Sequence, residues 1–205
     1  MLEHLQDLIL KFGYIGIGAT LLLETGFLIF FFLPGDTLLL AVGAIAYTGK
    51  LALGPAILSA FIGAVLGNAV GYWVGAKYGR AVFSNQNSRL FNPENIAKAE
   101  HFYNKYGAMA IMLSRFVPGV RAIVPTIAGM VRMNYGMFML LNIASAALWT
   151  VSLPLLAYYV LPLTGLTEKE VEKYILVMVF LAFLIPLIPV GIRMLKPRKS
   201  IQEKV

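Results

Sequence analysis

The chain contains no cysteine, and only 13% of its 205 residues are charged. The lack of cysteine excludes disulfides, thiolate metal sites and cysteine catalysis. Soluble domains are about 45–50% apolar, whereas 59% of this chain is hydrophobic. A water-soluble globule of this size cannot bury so much apolar surface. The composition therefore predicts an all-α polytopic membrane protein, with one transmembrane domain over residues 1–205.

Signatures of common enzymes are also missing. The stretch GAIAYTGKL is a failed P-loop, because its first Gly is one position off and no Ser or Thr follows Lys50. The chain has no G-x-S-x-G and no H-E-x-x-H motif. His4 and His101 have no ligand spacing between them. We predict a protein that is not an enzyme and that uses no metal and no cofactor.

Apolar segments of two kinds occupy most of the chain. Three of them reach the roughly 20 residues that cross a bilayer, and they are Leu51–Ala76, Tyr135–Leu161 and Tyr174–Ile192. Two others, Tyr14–Tyr47 and Ala108–Met133, are interrupted by charges and by prolines or glycines. Each half of an interrupted segment has only about 10–15 residues, which favours a re-entrant half-helix over a full span. The predicted hairpin breaks are Pro34, Gly35, Pro118, Gly119 and Pro125.

The basic residues predict the orientation. The net charge of +7 is concentrated in residues 77–107 and 193–205, which flank apolar spans, so we expect no nucleic-acid partner. The positive-inside rule makes both segments cytoplasmic. Counting crossings back from the tail then requires Ala108–Met133 to enter and leave on the cytoplasmic side. If Tyr14–Tyr47 is also re-entrant, it enters from the outside, and the two hairpins oppose each other.

A weak internal repeat agrees with this topology. FLPG at 32–35 and FVPG at 116–119 each precede a short apolar half-segment and then a span. We predict an inverted-topology repeat, with two opposed re-entrant helical hairpins plus three full transmembrane helices. The expected segments are an amphipathic N-terminal helix at 1–13, repeats at 14–76 and 108–161, a cytoplasmic loop with an amphipathic helix at 77–107, a last transmembrane helix at 174–192 and a basic cytoplasmic tail at 193–205.

Glycines recur at every fourth position in the first long span. Gly63, Gly67, Gly71 and Gly75 form one smooth stripe on a helix, which lets another helix approach closely. A packing role is expected. The sequence leaves open whether the stripe faces a hairpin or a second copy of the chain in a homo-oligomer.

Four charged residues lie within the interrupted segments, away from the segment ends, and they are Glu24, Asp36, Arg115 and Arg121. Each costs roughly 2.5–3.5 kcal/mol at the centre of a membrane helix on insertion scales. They must therefore pair, meet water or bind a ligand. Because the acids lie on one hairpin and the arginines on the other, we expect them to converge. Salt bridges that lock the hairpins together are one interpretation, although buried ion pairs stabilise poorly compared with apolar packing.

The other interpretation is a pathway for a lipid or an ion. The planar fork of arginine suits phosphate, and a partly dehydrated carboxylate can bind and release protons. Arg115 and Arg121 are then the substrate-binding residues, and Glu24 and Asp36 couple protons. Four polar residues of the spans are candidates for lining a cavity, although each is more typical of a helix–helix hydrogen bond or an interfacial anchor: Asn68, Tyr72, Asn142 and Trp149.

At these residues the sequence resembles a known family. The motifs are E-T-G…F-L-P-G-D…G-A-I-A, G-x-x-x-G-x-x-x-G-Y-x-x-G-x-x-x-G-R, F-Y-N-K-Y-G, S-R-F-V-P-G-V-R and A-G-M…M…F…N…W. They resemble the DedA family of bacterial inner-membrane proteins, which is similar to the eukaryotic VTT-domain lipid scramblases (SNARE-associated Golgi protein domain). The resemblance covers roughly residues 14–160 and implies two opposed re-entrant hairpins.

The resemblance also implies a function. Family members transport polyprenyl lipids or phospholipids, notably undecaprenyl phosphate, as flippases or scramblases that depend on the proton motive force. The family's acidic pair corresponds to Glu24 and Asp36, and its arginine pair to Arg115 and Arg121. We therefore expect a multi-pass protein of the bacterial inner membrane whose partners are membrane lipids and protons. A proton-coupled ion or small-solute antiporter and a non-transporting assembly factor are the alternatives.

Overall fold

The structure is a computed structural model that describes residues 2–27, 30, 33–83, 109–115, 120–165, 170, 173, 174 and 177. These residues form six continuous α-helices and a short 3-10 turn, and no strand occurs among them. The helices are α1 (Leu2–Gly26), α2 (Gly35–Tyr47), α3 (Leu53–Phe83), α4 (Met109–Ser114), α5 (Val120–Met130) and α6 (Tyr135–Val160), with the 3-10 turn at Leu161–Thr164. The prediction of an all-α chain is confirmed for this part of the molecule.

In the part of the chain that the structure describes, two helices are long and apolar enough to cross a membrane. The qualifying segments are Leu53–Tyr78 and Tyr135–Thr164, of 26 and 30 residues. They match two of the predicted spans, although α3 continues to Phe83, beyond its expected end at Ala76. The third predicted span, Tyr174–Ile192, lies almost wholly outside the described residues, as do most of the loop at 77–107 and the tail at 193–205.

The first interrupted segment breaks where the sequence predicts, but its first arm is longer. A separate amphipathic helix at residues 1–13 was expected, yet α1 is continuous from Leu2 to Gly26. No proline interrupts this stretch, and glycines at 13, 16 and 18 weaken a helix without ending it. The break itself is confirmed, because Pro34 is the N-cap of α2 and Gly35 is its first residue.

Pro125 was expected to be a hairpin break, and that prediction is wrong. It lies inside α5. Its missing N–H leaves the Arg121 carbonyl without its usual intrahelical donor, a defect that membrane helices tolerate when neighbouring helices pack around it. Here the neighbour is α3, because a Cβ on Gly71 would lie 3.3 Å from the Pro125 Cβ. Pro118 and Gly119 lie outside the described residues.

The main helix contacts follow a pattern that is unchanged when the two halves of the chain are exchanged. The first arm of each half packs on the long helix of its own half, α1 on α3 and α4 on α6. The second short arm packs on the long helix of the other half, α2 on α6 and α5 on α3. The long helices α3 and α6 also contact each other. Each second arm therefore joins the two halves.

The glycine stripe of α3 is used within the chain. A Cβ on Gly63 would overlap the backbone of Gly18 in α1, and one on Gly75 would overlap the Thr126 backbone in α5. Gly71 lies against Pro125. Of the two interpretations left open by the sequence, packing within the chain, against α1 and α5, is therefore the one observed. The stripe is not free for a second copy, and an oligomer needs another surface.

Apolar packing fills the space on both sides of the short arms. One buried cluster joins α1, α2, α3 and α6, and contains Leu21, Leu39, Ala60 and Trp149. A second cluster joins α4, α5 and α6, and contains Ile111, Ala128 and Phe138. Large apolar side chains also cover the outside of the long helices, for example Leu66, Leu140 and Leu156. Such faces are suited to lipid rather than to water.

Candidate functional site

The end of α1 places Glu24 in the interior. Thr25, next to it, donates its hydroxyl to Leu21 O at 2.7 Å and reaches Ala64 O of α3 at 3.5 Å. Gly26 lies against the backbone of Gly67, 2.9 Å from where its Cβ would stand. Each residue of the E-T-G motif therefore has a physical role. The threonine and glycine hold the last turn of α1 against α3, and the glutamate is left 1% exposed.

The start of α2 places Asp36 beside that glutamate. Pro34 sets the N-cap, and Asp36 lies in the first turn, where the helix dipole favours an acid. Gly35 leaves room for Glu24, because a Cβ there would lie 2.8 Å from the Glu24 carboxyl carbon. The side chain of Asp36 is 43% exposed. The P-G-D motif therefore brings a buried and a half-exposed carboxylate together.

Arg121 of α5 binds both carboxylates. Its Nη1 donates to both carboxylate oxygens of Asp36 at 2.8 Å. Its Nη2 donates to Glu24 Oε1 in a short ion pair. The guanidinium is thus shared between α1 and α2 of the first half, as the expected convergence of the hairpins requires. Its two terminal nitrogens are both occupied by acids.

Arg115 lies in a different environment, although the sequence presents it as an equivalent of Arg121. It is 3% exposed and follows α4 directly. Its Nη2 donates to Asn142 Oδ1 at 2.8 Å, and its Nη1 is buried without a hydrogen-bond partner. Among the described residues no carboxylate lies within ion-pair distance of it. The charges of two acids and two arginines sum to zero, but both acids pair with Arg121 and neither pairs with Arg115.

Two asparagines fix the place of Arg115 between the long helices. Asn68 of α3 donates to Asn142 Oδ1 at 2.9 Å, and Asn142 Nδ2 donates to Val65 O at 3.0 Å. Asn142 is fully buried, and Asn68 Oδ1 is left without a partner. These residues form the helix–helix hydrogen bond, which is one of the two interpretations of the sequence. Their lining of a cavity stays a prediction.

Trp149 of α6 completes the cluster. Its indole N–H donates to Asp36 Oδ1 at 2.8 Å. The Cζ atoms of Arg121 and Arg115 lie 4.9 and 5.5 Å from its ring centroid, within the range of cation–π attraction. Sequence reasoning named this residue without placing it next to the charges.

Tyr72 is the one cavity candidate that the structure places elsewhere. Its hydroxyl donates to Met133 O at 2.5 Å, and its ring packs on Tyr135 and Phe138. Its role is therefore packing at the junction of α5 and α6. Neither the role of Thr25 nor that of the Val65 backbone was predicted from the sequence. The only signal was the position of Thr25 beside Glu24.

An open groove of about 340 Å³ lies away from the charges, along α1 and α3 between Tyr14 and Leu66. None of the four charged residues lines it. Within the described part of the chain no three His, Cys, Asp or Glu side chains lie close enough to hold a metal ion. The absence of a metal or cofactor from the active protein stays a prediction.

Apolar helices that surround a buried cluster of acids and arginines define an α-helical membrane protein. The model of the VTT domain matches residues 33–159. Protein DedA of Escherichia coli (strain K12) is 37% identical over 161 residues, which are 76% of this chain and 74% of that protein. The chain therefore belongs to the DedA family of VTT-domain membrane proteins.

Other relatives agree with this assignment. A protein of Synechocystis sp. (strain ATCC 27184 / PCC 6803 / Kazusa) is 37% identical over 160 residues, 77% of this chain and 72% of its own. A protein of Mycobacterium leprae (strain TN) is 34% identical over 165 residues, 80% of this chain and 73% of its own. Both are named only as uncharacterized membrane proteins. No solved structure matches the chain.

Proposed function

We propose that this protein moves a phosphate-bearing lipid, undecaprenyl phosphate or a phospholipid, across the bilayer, and that the proton motive force drives the movement. The observation that carries the proposal is the environment of Arg115. This guanidinium is buried, its hydrogen-bonded partner is the neutral Asn142, and its Nη1 has no partner. A buried unpaired charge is unfavourable, so a bound anion would both neutralise Arg115 and use its free donor.

Phosphate is the anion that this donor suits best. Arginine stays charged and offers paired N–H groups that match phosphate oxygens. The apolar outer faces of α3 and α6 would accommodate a lipid chain while the phosphate lies inside. In this arrangement Arg115 binds the phosphate first. Arg121 binds it second, once its ion pairs with Glu24 and Asp36 are broken.

Protonation would control when Arg121 binds the phosphate. Arg121 is held by Glu24 and Asp36. A proton on either carboxylate removes its charge and weakens its hold on the guanidinium, so that Arg121 can bind the phosphate. Release of the proton on the other side of the membrane restores the ion pair and expels the lipid. Proton uptake and phosphate binding are linked by competition for one guanidinium.

The proposed topology agrees with the helix contacts, in which the second arm of each half packs on the long helix of the other half. The two hairpins are re-entrant and enter from opposite faces, so that the acids and arginines meet near the midplane. The protein lies in the bacterial inner membrane with its C-terminal tail in the cytoplasm. It acts as a transporter and not as an enzyme.

Reconstitution into proteoliposomes tests the function. Labelled undecaprenyl phosphate and a labelled phosphatidylethanolamine are offered separately, with and without a pH gradient. We expect Arg115→Gln to slow lipid movement at least about tenfold, the scale of a lost charged hydrogen bond, and Glu24→Gln to remove the effect of the gradient. Arg132→Gln, at an exposed arginine outside the cluster, is the control and should transport normally.

Each result has a distinct meaning. Undiminished movement of both lipids by Arg115→Gln would overturn the proposal. Gradient-driven movement of cations without any lipid movement would identify an antiporter instead. Movement of only one of the two lipids would identify the substrate.

A further inference from the structure

One side chain contacts three of the four charged residues. Trp149 is 1% exposed, donates its indole N–H to Asp36, and has the guanidiniums of Arg121 and Arg115 near its ring. Asn142, which binds Arg115, lies two turns earlier on the same face of α6. A single helix face therefore contacts both arginines, although neither belongs to that helix.

We propose that Trp149 is a positioning residue for the anion site, an inference that rests on the proposed function. Its N–H orients the Asp36 carboxylate toward Arg121, and its ring holds the two guanidiniums at fixed places. The side chain of Asp36 is 43% exposed and lies at the start of a short helix, so this hydrogen bond restrains a carboxylate that is only partly enclosed. The indole N–H is a donor only, so it binds a carboxylate oxygen and not a guanidinium.

A tryptophan is suited to this position because the guanidiniums of Arg115 and Arg121 carry like charges. Two guanidiniums that share one buried site repel each other, and only Arg121 is neutralised by acids. The face of an indole carries negative potential and attracts cations, most strongly where water is excluded. Trp149 therefore offsets part of the charge of Arg115 without adding a carboxylate that would compete with phosphate. An aliphatic side chain at this position would supply neither effect.

Two substitutions separate these effects in transport. Trp149→Phe keeps an aromatic ring and loses the N–H, whereas Trp149→Leu loses both. We expect the half-saturating concentration of undecaprenyl phosphate to rise about tenfold for Trp149→Phe and further for Trp149→Leu, after rates are normalised to folded protein. Equal values for both variants and the wild type would show that Trp149 only fills space.

Fluorescence provides a readout that packing alone would not move. The chain has two tryptophans, and Trp73 is 56% exposed and outside the cluster. Trp73→Phe therefore leaves Trp149 as the sole tryptophan, which excitation at a wavelength that tyrosine does not absorb reports selectively. Adding Asp36→Asn should shift its emission, because the indole N–H loses its charged acceptor. The matched Trp149→Phe protein, which reports Trp73, should show no shift on the same change.

Titration with farnesyl phosphate then separates the positioning role from the proposed function. If Asp36→Asn shifts the Trp149 emission and the phosphate does not, the positioning role holds and phosphate binding fails. If the phosphate shifts the emission and Asp36→Asn does not, the positioning role is overturned and the proposed function stands. A shift in both measurements supports both conclusions, and no shift in either overturns both.

Discussion

At the scale of single residues, two arginines of the same segment have opposite environments. Arg121 binds a buried and a half-exposed carboxylate, whereas Arg115 binds only the amide oxygen of Asn142. Removal of one partner from a buried ion pair leaves the other charge uncompensated, which is strongly unfavourable. Removal of an unpaired buried charge leaves no such charge behind. The two residues should therefore differ in what they contribute to stability.

Substitution of each arginine by glutamine tests this difference. We expect Arg121→Gln to lower the free energy of unfolding in detergent by about 3 kcal/mol, because Glu24 stays buried without its ion pair. Arg115→Gln should leave stability nearly unchanged while weakening phosphate binding at least about tenfold. Thermal and denaturant unfolding of the purified proteins measures both effects.

A double substitution is the control for this assignment. Glu24→Gln in the Arg121→Gln background should recover part of the lost stability, since the orphaned charge is removed. Equal destabilisation by Arg115→Gln and Arg121→Gln would contradict the unequal pairing.

At the scale of elements, small residues decide how closely the arms approach the long helices. Thr25 and Gly26 press the end of α1 against α3 at Gly67. Gly43 of α2 approaches α6 closely, because a Cβ there would overlap the Pro154 backbone. Gly129 of α5 does the same against Tyr72 of α3. The charged side chains can meet only because these backbones come so close.

Gly67→Ala should therefore disturb both packing and transport. Its Cβ would meet the Thr25 hydroxyl and come within 2.7 Å of Leu22 O, so α1 must move and take Glu24 with it. We expect a loss of about 1–3 kcal/mol in the free energy of unfolding, together with slower lipid movement.

The matched control is Gly16→Ala in α1. A Cβ at that position meets nothing within 4 Å, and alanine favours the helix by about 0.5–1 kcal/mol. The control should be as stable as the wild type or more stable. If Gly67→Ala behaves like Gly16→Ala, the close approach is not what places Glu24.

At the scale of the whole molecule, the second arm of each half, α2 or α5, packs on the long helix of the other half. The first half supplies the acids, and the second supplies the arginines, so the cluster exists only where the halves meet. Apolar side chains cover the outer faces of α3 and α6, and the charges remain inside. An arrangement with hairpins from opposite membrane faces predicts on which side each connecting segment lies.

The natural absence of cysteine makes that topology measurable. Single-cysteine variants are exposed to a membrane-impermeant maleimide on intact cells. We expect Thr164→Cys to be labelled from outside, and Ser88→Cys and Ser200→Cys only after permeabilisation, because the proposed orientation has the basic segments in the cytoplasm. Labelling of Ser88→Cys on intact cells would contradict the proposed orientation, and the unmodified chain is the blank.

What the sequence determined by itself is the class of protein and the identity of the charged residues. Excess apolar residues predict membrane insertion, and charges at Glu24, Asp36, Arg115 and Arg121 stand out because each is unfavourable there. The break at Pro34 is also local, since Pro restricts the backbone around it. These inferences need only composition and short-range geometry.

The tertiary structure decided the partners. Arg121 is 85 residues from Asp36 and 97 from Glu24 along the chain, and no local pattern specifies such a pairing. Pro125 stays within a helix that packs against α3, and the glycine stripe faces α1 and α5 rather than a second copy. Which arginine is neutralised depends on which helices approach closely, and that depends on small residues distributed over both halves of the chain.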